Sequence, residues 1–172
     1  MISSKYDWQF ATNFTDEKFL KKAKKAGLEP AAASLLYQRG VQTEEALQEF
    51  LEPSLDQLHD PYDLHDMERA VERIRAAIEN YEQILIYGDY DADGMTSASI
   101  VKEALEQLGA ECQVYLPNRF TDGYGPNSSV YKYFIENQGI SLIITVDNGV
   151  AGLEAIELAQ SLGVDVIVTD HH

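Results

Sequence analysis

The sequence has a single cysteine and no long apolar run, and both features narrow the class of protein. One cysteine, Cys112, excludes an internal disulfide and is typical of a protein kept in a reducing compartment. No apolar segment approaches the roughly 20 residues that a membrane-spanning helix needs. The first ten residues, MISSKYDWQF, lack the basic-then-apolar layout of a secretory leader. We therefore expect a cytoplasmic protein that does not enter a membrane.

Positive charge is the other scarce feature. The 172 residues carry 13 Lys or Arg against 29 Asp or Glu, a formal net charge of −16. Residues 81–172 hold 3 of the basic residues and 14 of the acidic ones, which gives a net charge of −11. Nucleic-acid backbones are normally bound by basic faces, so we do not expect this segment to bind them by itself. Bound divalent cations would offset part of its negative charge.

The chain divides into a helical part and an alternating part. The first 80 residues predict helices, the first of them capped by Thr15, and a linker over 53–66. From residue 83, four short apolar runs alternate with three amphipathic helices, of which we predict the first over 96–110. This order is typical of a parallel sheet. We therefore predict an α/β fold, a parallel sheet with helices on both faces, in a domain over 66–172. A small helical N-terminal extension and linker over 1–65 precedes it.

Acidic residues follow three of the four predicted strands. GDYDADG places Asp89, Asp91 and Asp93 after the first strand, VDNG places Asp147 after the third, and TDHH places Asp170, His171 and His172 after the fourth. Because the carboxyl ends of parallel strands lie at one edge of a sheet, we expect these side chains to converge. Carboxylates and imidazoles suit Mn²⁺ or Mg²⁺, and without a cation the carboxylates would repel one another. The pattern therefore predicts a site for divalent metal.

The aspartate run has three competing interpretations. D-x-D-x-D-G resembles the start of an EF-hand loop, but the twelfth position, which needs Glu, is Ile100, and the run follows a strand. DADGMT fits the D-x-D-G-x-T motif of haloacid-dehalogenase-like phosphatases, with Asp91 as nucleophile. Such enzymes have a distant Lys and an acidic pair where this chain has TDHH, so this remains a minor alternative. Aspartates that only cap helices would account poorly for acidic residues after three strands.

The three motifs GDYDADG, VDNG and TDHH, in that order and at those strand ends, resemble the first three motifs of the DHH phosphoesterase superfamily. FLEPSLDQLHDPYDLHDMERAVERI and LPNRFTDGYGPN further resemble segments of its branch that degrades single-stranded DNA. The resemblance covers nearly the whole chain. It implies metal-dependent hydrolysis of phosphodiester bonds, most specifically by a 5′→3′ single-stranded-DNA exonuclease of DNA repair and recombination.

The same resemblance implies which residues hold metal. Asp91 and Asp93 would each bind one ion of a two-ion Mn²⁺ or Mg²⁺ site, and Asp147 would bridge the two ions. His171 would be a further ligand. Asp89 belongs to the motif and would either support the ligands or bind metal itself.

Other residues would complete the site. His172 would lie closer to the scissile phosphate, and Asp170 would orient the histidines. Arg119, in a glycine-rich loop on the same edge, would bind a substrate phosphate, and Tyr124 nearby is placed to stack on a base. Tyr87 stands where some related phosphatases have a metal-binding histidine, which favours the arrangement of the exonuclease branch.

The chain ends directly after the fourth predicted strand, so we expect an incomplete domain whose second metal site lacks a ligand. The fragment by itself is predicted to be inactive. The partners implied are single-stranded DNA, through the full-length protein, and a single-strand-binding protein or a helicase. Two alternatives remain: a phosphodiesterase of cyclic dinucleotides or short oligonucleotides, and a scaffold that keeps the fold without the chemistry.

Overall fold

The structure is a computed structural model that describes residues 16–171, which form seven α-helices and four strands. The helices are α1 (Glu17–Lys25), α2 (Pro30–Gln38), α3 (Glu44–Leu51), α4 (Met67–Glu79), α5 (Ala92–Gln107), α6 (Ser128–Gln138) and α7 (Leu153–Ser161). The strands are β1 (Gln83–Tyr87), β2 (Glu111–Tyr115), β3 (Ile140–Val146) and β4 (Asp165–Thr169). Short 3₁₀ turns at Leu55–Gln57 and Pro61–Asp63 occupy the predicted linker. In the described part of the chain, no helix is both long and apolar enough to cross a bilayer.

The chain separates into two compact units, one up to Asp60 and one from Pro61 onward. The first unit consists of α1, α2 and α3 around a small core. Phe19 is its central side chain, 3% exposed, and its ring meets that of Tyr37 edge to face at 5.1 Å. The first helix is capped by Asp16, whose carboxylate accepts hydrogen bonds from two backbone N–H groups, and not by the predicted Thr15, which lies outside the described residues.

The second unit is built on a parallel sheet in the order β2-β1-β3-β4. The chain moves outward from β1 to β2 and then returns to place β3 on the opposite side of β1. Strand order therefore reverses between β1 and β3. In open parallel sheets, the crevice at the carboxyl ends of two such strands is where ligands bind.

Helices cover both faces of this sheet, as the alternation of strands and helices along the sequence predicts. Ile84 and Ile86 of β1 point to one face, where they pack in a cluster with Ala77 of α4 and Leu105 of α5. The intervening residues Leu85 and Tyr87 point to the other face, which α6 and α7 cover. The prediction of an α/β fold with helices on both faces is confirmed.

An ion-pair network closes the amino end of the sheet. Arg73 of α4 donates hydrogen bonds to Glu82 and Asp165, both at 2.6 Å, and to the Ser141 carbonyl at 3.3 Å. These partners precede or begin β1, β4 and β3. The hydrogen bond from Arg73 lowers the pKa of Glu82. Arg73 therefore links three strands to one helix at their amino ends, which is the edge of the sheet opposite to their carboxyl ends.

Candidate metal centre

Two carboxylates lie at the point where strand order reverses. Asp89 follows β1 by two residues, and Asp147 follows β3 directly. Both are buried, at 2% and 8% exposure, and the backbone N–H of Asp147 continues the ladder by donating to the Thr169 carbonyl at 2.9 Å. Ligand oxygens of Asp89, Asp91 and Asp147 all lie within 4.8 Å of one another. The structure thus brings together three of the predicted carboxylates.

The third member of the group, Asp91, also begins a helix. Its Oδ1 accepts hydrogen bonds from the backbone N–H groups of Asp93 and Gly94, each at 3.0 Å, which makes it the N-cap of α5. These two hydrogen bonds satisfy N–H groups at the start of the helix that have no partner within it. The cap uses one of the two oxygens, and the other can bind a cation.

Close packing of α5 on the end of β1 depends on Gly94. A Cβ at this position would lie 2.5 Å from the backbone nitrogen of Asp89 and 2.6 Å from its Cα. Only a residue without a side chain permits this approach. Gly94 therefore sets the distance between the helix that carries Asp91 and the segment that carries Asp89.

Asp147 adopts an unusual backbone conformation. Its φ of 62° places it in the left-handed region, which costs about 1–2 kcal/mol for a residue with a side chain. The sharp turn lets the chain leave β3 while the carboxylate stays at the sheet edge. Strain of this kind is maintained where the surrounding structure over-determines the conformation, and it is concentrated at functional sites.

The segment after β4 places the imidazole of His171 beside Asp147. The Nε2 atom of His171 lies 2.8 Å from Oδ1 of Asp147. Asp170 accepts hydrogen bonds from the backbone N–H of His171 at 2.7 Å and from that of Val150 at 3.0 Å. Asp170 thus fixes the backbone that presents His171. The three carboxylates of Asp89, Asp91 and Asp147 supply oxygen ligands of the kind that Mn²⁺ or Mg²⁺ prefers, and His171 contacts one of them.

The predicted metal ligand Asp93 lies outside the group of Asp89, Asp91 and Asp147. Helix α5 begins at Ala92, four residues before the predicted start at residue 96. Asp93 therefore lies in the first turn of the helix, with an exposed side chain. Its backbone carbonyl accepts a hydrogen bond from the hydroxyl of Thr96 at 3.2 Å. Asp93 stays a predicted ligand. His172 lies outside the described residues.

Arg119 lies beside the aspartate run. Its guanidinium carbon is 4.8 Å from the ring centroid of Tyr90, the residue between Asp89 and Asp91. Between residues 81 and 171 the other two basic side chains, Lys102 and Lys132, form ion pairs within their own helices. Arg119 forms no ion pair within the described part of the chain, so its planar fork is available to an anion.

Two tyrosines fix the loop that carries Arg119. The buried hydroxyl of Tyr87 donates to the Gly125 carbonyl at 3.0 Å, and that of Tyr115 donates to Asp122 at 2.7 Å. Burial raises the pKa of Tyr87 far above its ordinary value, and burial and Asp122 raise the pKa of Tyr115 to about 12. Tyr87 therefore serves as a core anchor for this loop.

Tyr124 lies on the same loop and close to the carboxylates. Its ring contacts that of Tyr90 edge to face at 6.5 Å. Partial burial raises the pKa of Tyr124, and the charges of nearby carboxylates add to the shift. With Gly125, Val150 and Asp170 it lines a cavity of about 120 Å³. The site thus has a mixed apolar and polar recess beside its acidic group.

A family model matches this part of the chain. Residues 83–172, from the start of β1 to the last residue, match the DHH family, N-terminal domain. The chain belongs to the DHH family. The acidic group of Asp89, Asp91 and Asp147 lies within the matched residues.

Two curated relatives of this DHH-family chain have the same name. The chain is 42% identical to the single-stranded-DNA-specific exonuclease RecJ of Bacillus subtilis over 172 residues, which cover all of this chain and 22% of that protein. It is 40% identical to the exonuclease of the same name from Escherichia coli over 149 residues, covering 86% of this chain and 25% of that protein. The chain thus spans about a fifth to a quarter of the length of these relatives.

Solved structures with a similar fold contain metal. A structure of exonuclease RecJ bound to manganese has a TM-score of 0.59 and 33% identity, covering 63% of this chain and 28% of that one. RecJ from Thermus thermophilus in complex with Mn²⁺ has a TM-score of 0.61 and 28% identity, covering 93% of this chain and 22% of that one. A Mg²⁺ complex of RecJ from the same organism has a TM-score of 0.51 and 27% identity, with coverage of 93% and 19%.

Proposed function

We propose that this chain carries the metal-binding part of an enzyme that hydrolyses phosphodiester bonds, degrading single-stranded DNA from the 5′ end in repair and recombination. The observation that supports this most is the convergence of Asp89, Asp91 and Asp147 where strand order reverses. The names of the relatives support the substrate, and the ions in the similar structures support Mn²⁺ or Mg²⁺ as cofactor. The cytoplasm is the compartment we propose for this reaction.

The metal ligands in this proposal come from three segments. Asp91 and Asp93 would each hold one ion, and Asp147 would be a ligand to both. His171, already 2.8 Å from Asp147, is a further ligand. Asp89, which is almost fully buried, either supports these ligands or joins them.

The remaining residues act on the substrate. Bound metal would supply a water of lowered pKa and would neutralise charge on the phosphate oxygens. His172 would act nearest the scissile phosphate, and Asp170 would orient the histidine segment through the backbone. Arg119 would donate hydrogen bonds from its guanidinium group to a phosphate. Within the described part of the chain no carboxylate pairs with this group, and it lies over the ring of Tyr90.

We further propose that the 172-residue chain binds metal weakly and has little nuclease activity by itself. The half from residue 81 onward has a net charge of −11, which repels a DNA backbone, and the chain spans only about a fifth to a quarter of the length of the relatives. A single-strand-binding protein or a helicase is the class of protein partner that we propose for the longer enzyme.

Calorimetric titration with Mn²⁺ tests the metal site. We expect the unaltered chain to bind and the double variant Asp91→Ala, Asp147→Ala to lose binding. A double variant Glu103→Ala, Glu157→Ala removes the same charge from exposed helix positions and should bind as the unaltered chain does. Equal binding by all three proteins would contradict the site.

Incubation of the chain with 5′-labelled single-stranded DNA and Mn²⁺ tests the second claim. We expect little release of label. Efficient digestion that the Asp91→Ala, Asp147→Ala variant abolishes would support hydrolysis and overturn the claim that the chain is nearly inactive.

A further inference from the structure

We propose that Asn148 is a positioning residue whose side-chain amide sets the distance between the two carboxylate-bearing loops. This proposal rests on the proposed metal site. Asn148 is 0% exposed, and its Nδ2 donates hydrogen bonds to the carbonyls of Val146 at 2.9 Å and Tyr87 at 3.3 Å. These carbonyls belong to the last residues of β3 and β1. One side chain therefore joins the ends of the two strands.

We call this link through the Asn148 amide the brace. Its position matters because the backbone pairing of β1 and β3 stops there. The last paired residues of β1 and β3 are Tyr87 and Thr145. Beyond them the chain runs to Asp89 on one side and to Asp147 on the other, with no further pairing between the two strands. The amide of Asn148 takes the place of the next link of the ladder, immediately beneath the carboxylates.

The chemistry of the brace suits asparagine in particular. Two carbonyl oxygens must be met by two N–H groups on one atom, and a short side-chain amide supplies them. An ionised aspartate offers only acceptors and would repel both carbonyls, whereas a serine has one hydrogen to donate. The left-handed turn at Asp147, with φ of 62°, allows the next side chain to fold back under the strand ends.

The amide is retained at a cost to the core. Its Oδ1 is buried, and no donor within the described residues contacts it. An unpartnered buried acceptor is unfavourable, so the favourable polar contacts of this side chain are the two hydrogen bonds that its Nδ2 donates. We therefore assign the two donated hydrogen bonds a role in placing Asp89 and Asp147, and through them the metal.

The decisive comparison separates metal affinity from stability. Loss of residues that support metal ligands typically weakens binding by about 10- to 100-fold, and we expect this of Asn148→Ala toward Mn²⁺. Val164→Ala, a buried position at the amino end of β4, should lower the urea midpoint but leave the Mn²⁺ affinity within about twofold of the unaltered chain. At saturating Mn²⁺ we also expect an altered electron paramagnetic resonance spectrum for Asn148→Ala only. An unchanged affinity and spectrum would overturn the proposal.

A second measurement does not depend on metal or on a variant that folds. In the unaltered chain, the Nδ2 protons of Asn148 should exchange with solvent far more slowly than those of Asn137, an exposed amide that contacts one carbonyl of its own helix. Equal exchange at the two amides would overturn the brace. If the unaltered chain binds no Mn²⁺, the proposed metal site fails, and slow exchange still establishes that Asn148 holds the strand ends together.

Discussion

Replacement of Gly94 by alanine should separate the two halves of the acidic group. The added Cβ would lie 2.5 Å from the nitrogen of Asp89 and 2.6 Å from its Cα and carbonyl carbon. Favourable contacts between such atoms occur at about 3.5–4.0 Å, so the backbones must part by about 1 Å. Neither side can avoid the clash by rotating a side chain, because all three contacted atoms belong to the main chain.

Two opposing effects decide the size of the change in stability. Gly to Ala inside a helix gains about 1 kcal/mol of helix propensity. Overpacking of a tight contact costs about 1–3 kcal/mol, and here the upper part of that range applies because rigid backbone meets rigid backbone. We expect the free energy of unfolding to fall by about 1–2 kcal/mol, the difference between these two figures.

The effect on metal binding should be larger than the effect on stability. Asp91 caps the helix that contains Gly94, so a shift of that helix by about 1 Å moves Asp91 away from Asp89, while metal–ligand distances tolerate only about 0.2 Å. We expect the Mn²⁺ affinity to fall by more than about tenfold, which corresponds to about 1.4 kcal/mol. Calorimetry with Mn²⁺ and urea unfolding measure the two quantities on the same preparation.

A second glycine provides the control. Gly163 lies before β4 with φ of 79°, and a Cβ there would meet nothing within 4 Å. Gly163→Ala should lose about 1 kcal/mol of stability through backbone strain and keep its Mn²⁺ affinity. The reasoning about close approach is refuted if Gly94→Ala binds Mn²⁺ as tightly as Gly163→Ala does.

Three further predictions concern the frame around the site. Arg73→Met should reduce the free energy of unfolding in urea by about 2 kcal/mol, since it leaves a partly buried carboxylate without its partner, whereas Arg75→Met at an exposed position should change it by less than about 0.5 kcal/mol. Because that partner holds the pKa of Glu82 below its ordinary 4.5, the ionised carboxylate stabilises the fold above about pH 4.5. This contribution should disappear as the pH falls through the lowered pKa, and a pH series of unfolding curves should show it in the unaltered chain but not in Arg73→Met. Tyr87→Phe should cost about 1 kcal/mol and speed amide exchange around Gly125, whose carbonyl loses its donor.

The architecture of the second unit could be predicted because its strands are buried on both faces. Runs such as ILI and LII are apolar at every position, and in the structure their alternate residues enter two different clusters, against α4 and α5 on one face and α6 and α7 on the other. Strand order was not available from this pattern. The prediction that acidic residues converge required only that the strands be parallel, since all their carboxyl ends then lie at one edge.

The detailed composition of the acidic group was harder to predict. In D-x-D-x-D, any aspartate can bind metal or cap a helix, because both roles need only a carboxylate oxygen, which is a ligand to the metal or an acceptor from a backbone N–H. The structure shows Asp91 as the cap of α5, which turns Asp93 into the first turn of the helix. The buried link from Asn148 to β1 had no signal in the sequence because its partners are backbone carbonyls.

The distribution of positive charge connects the metal site to its substrate. Within the described residues after position 80, Lys102 and Lys132 are paired on their own helices, and Arg119 lies on the ring of Tyr90. No lysine or arginine in that range forms an ion pair with the carboxylates of Asp89 or Asp91. A phosphodiester approaching this edge would therefore meet like charge until a divalent ion occupies the group. We propose that metal binds first and that Arg119, the one Lys or Arg in that range without an ion pair, then orients the phosphate.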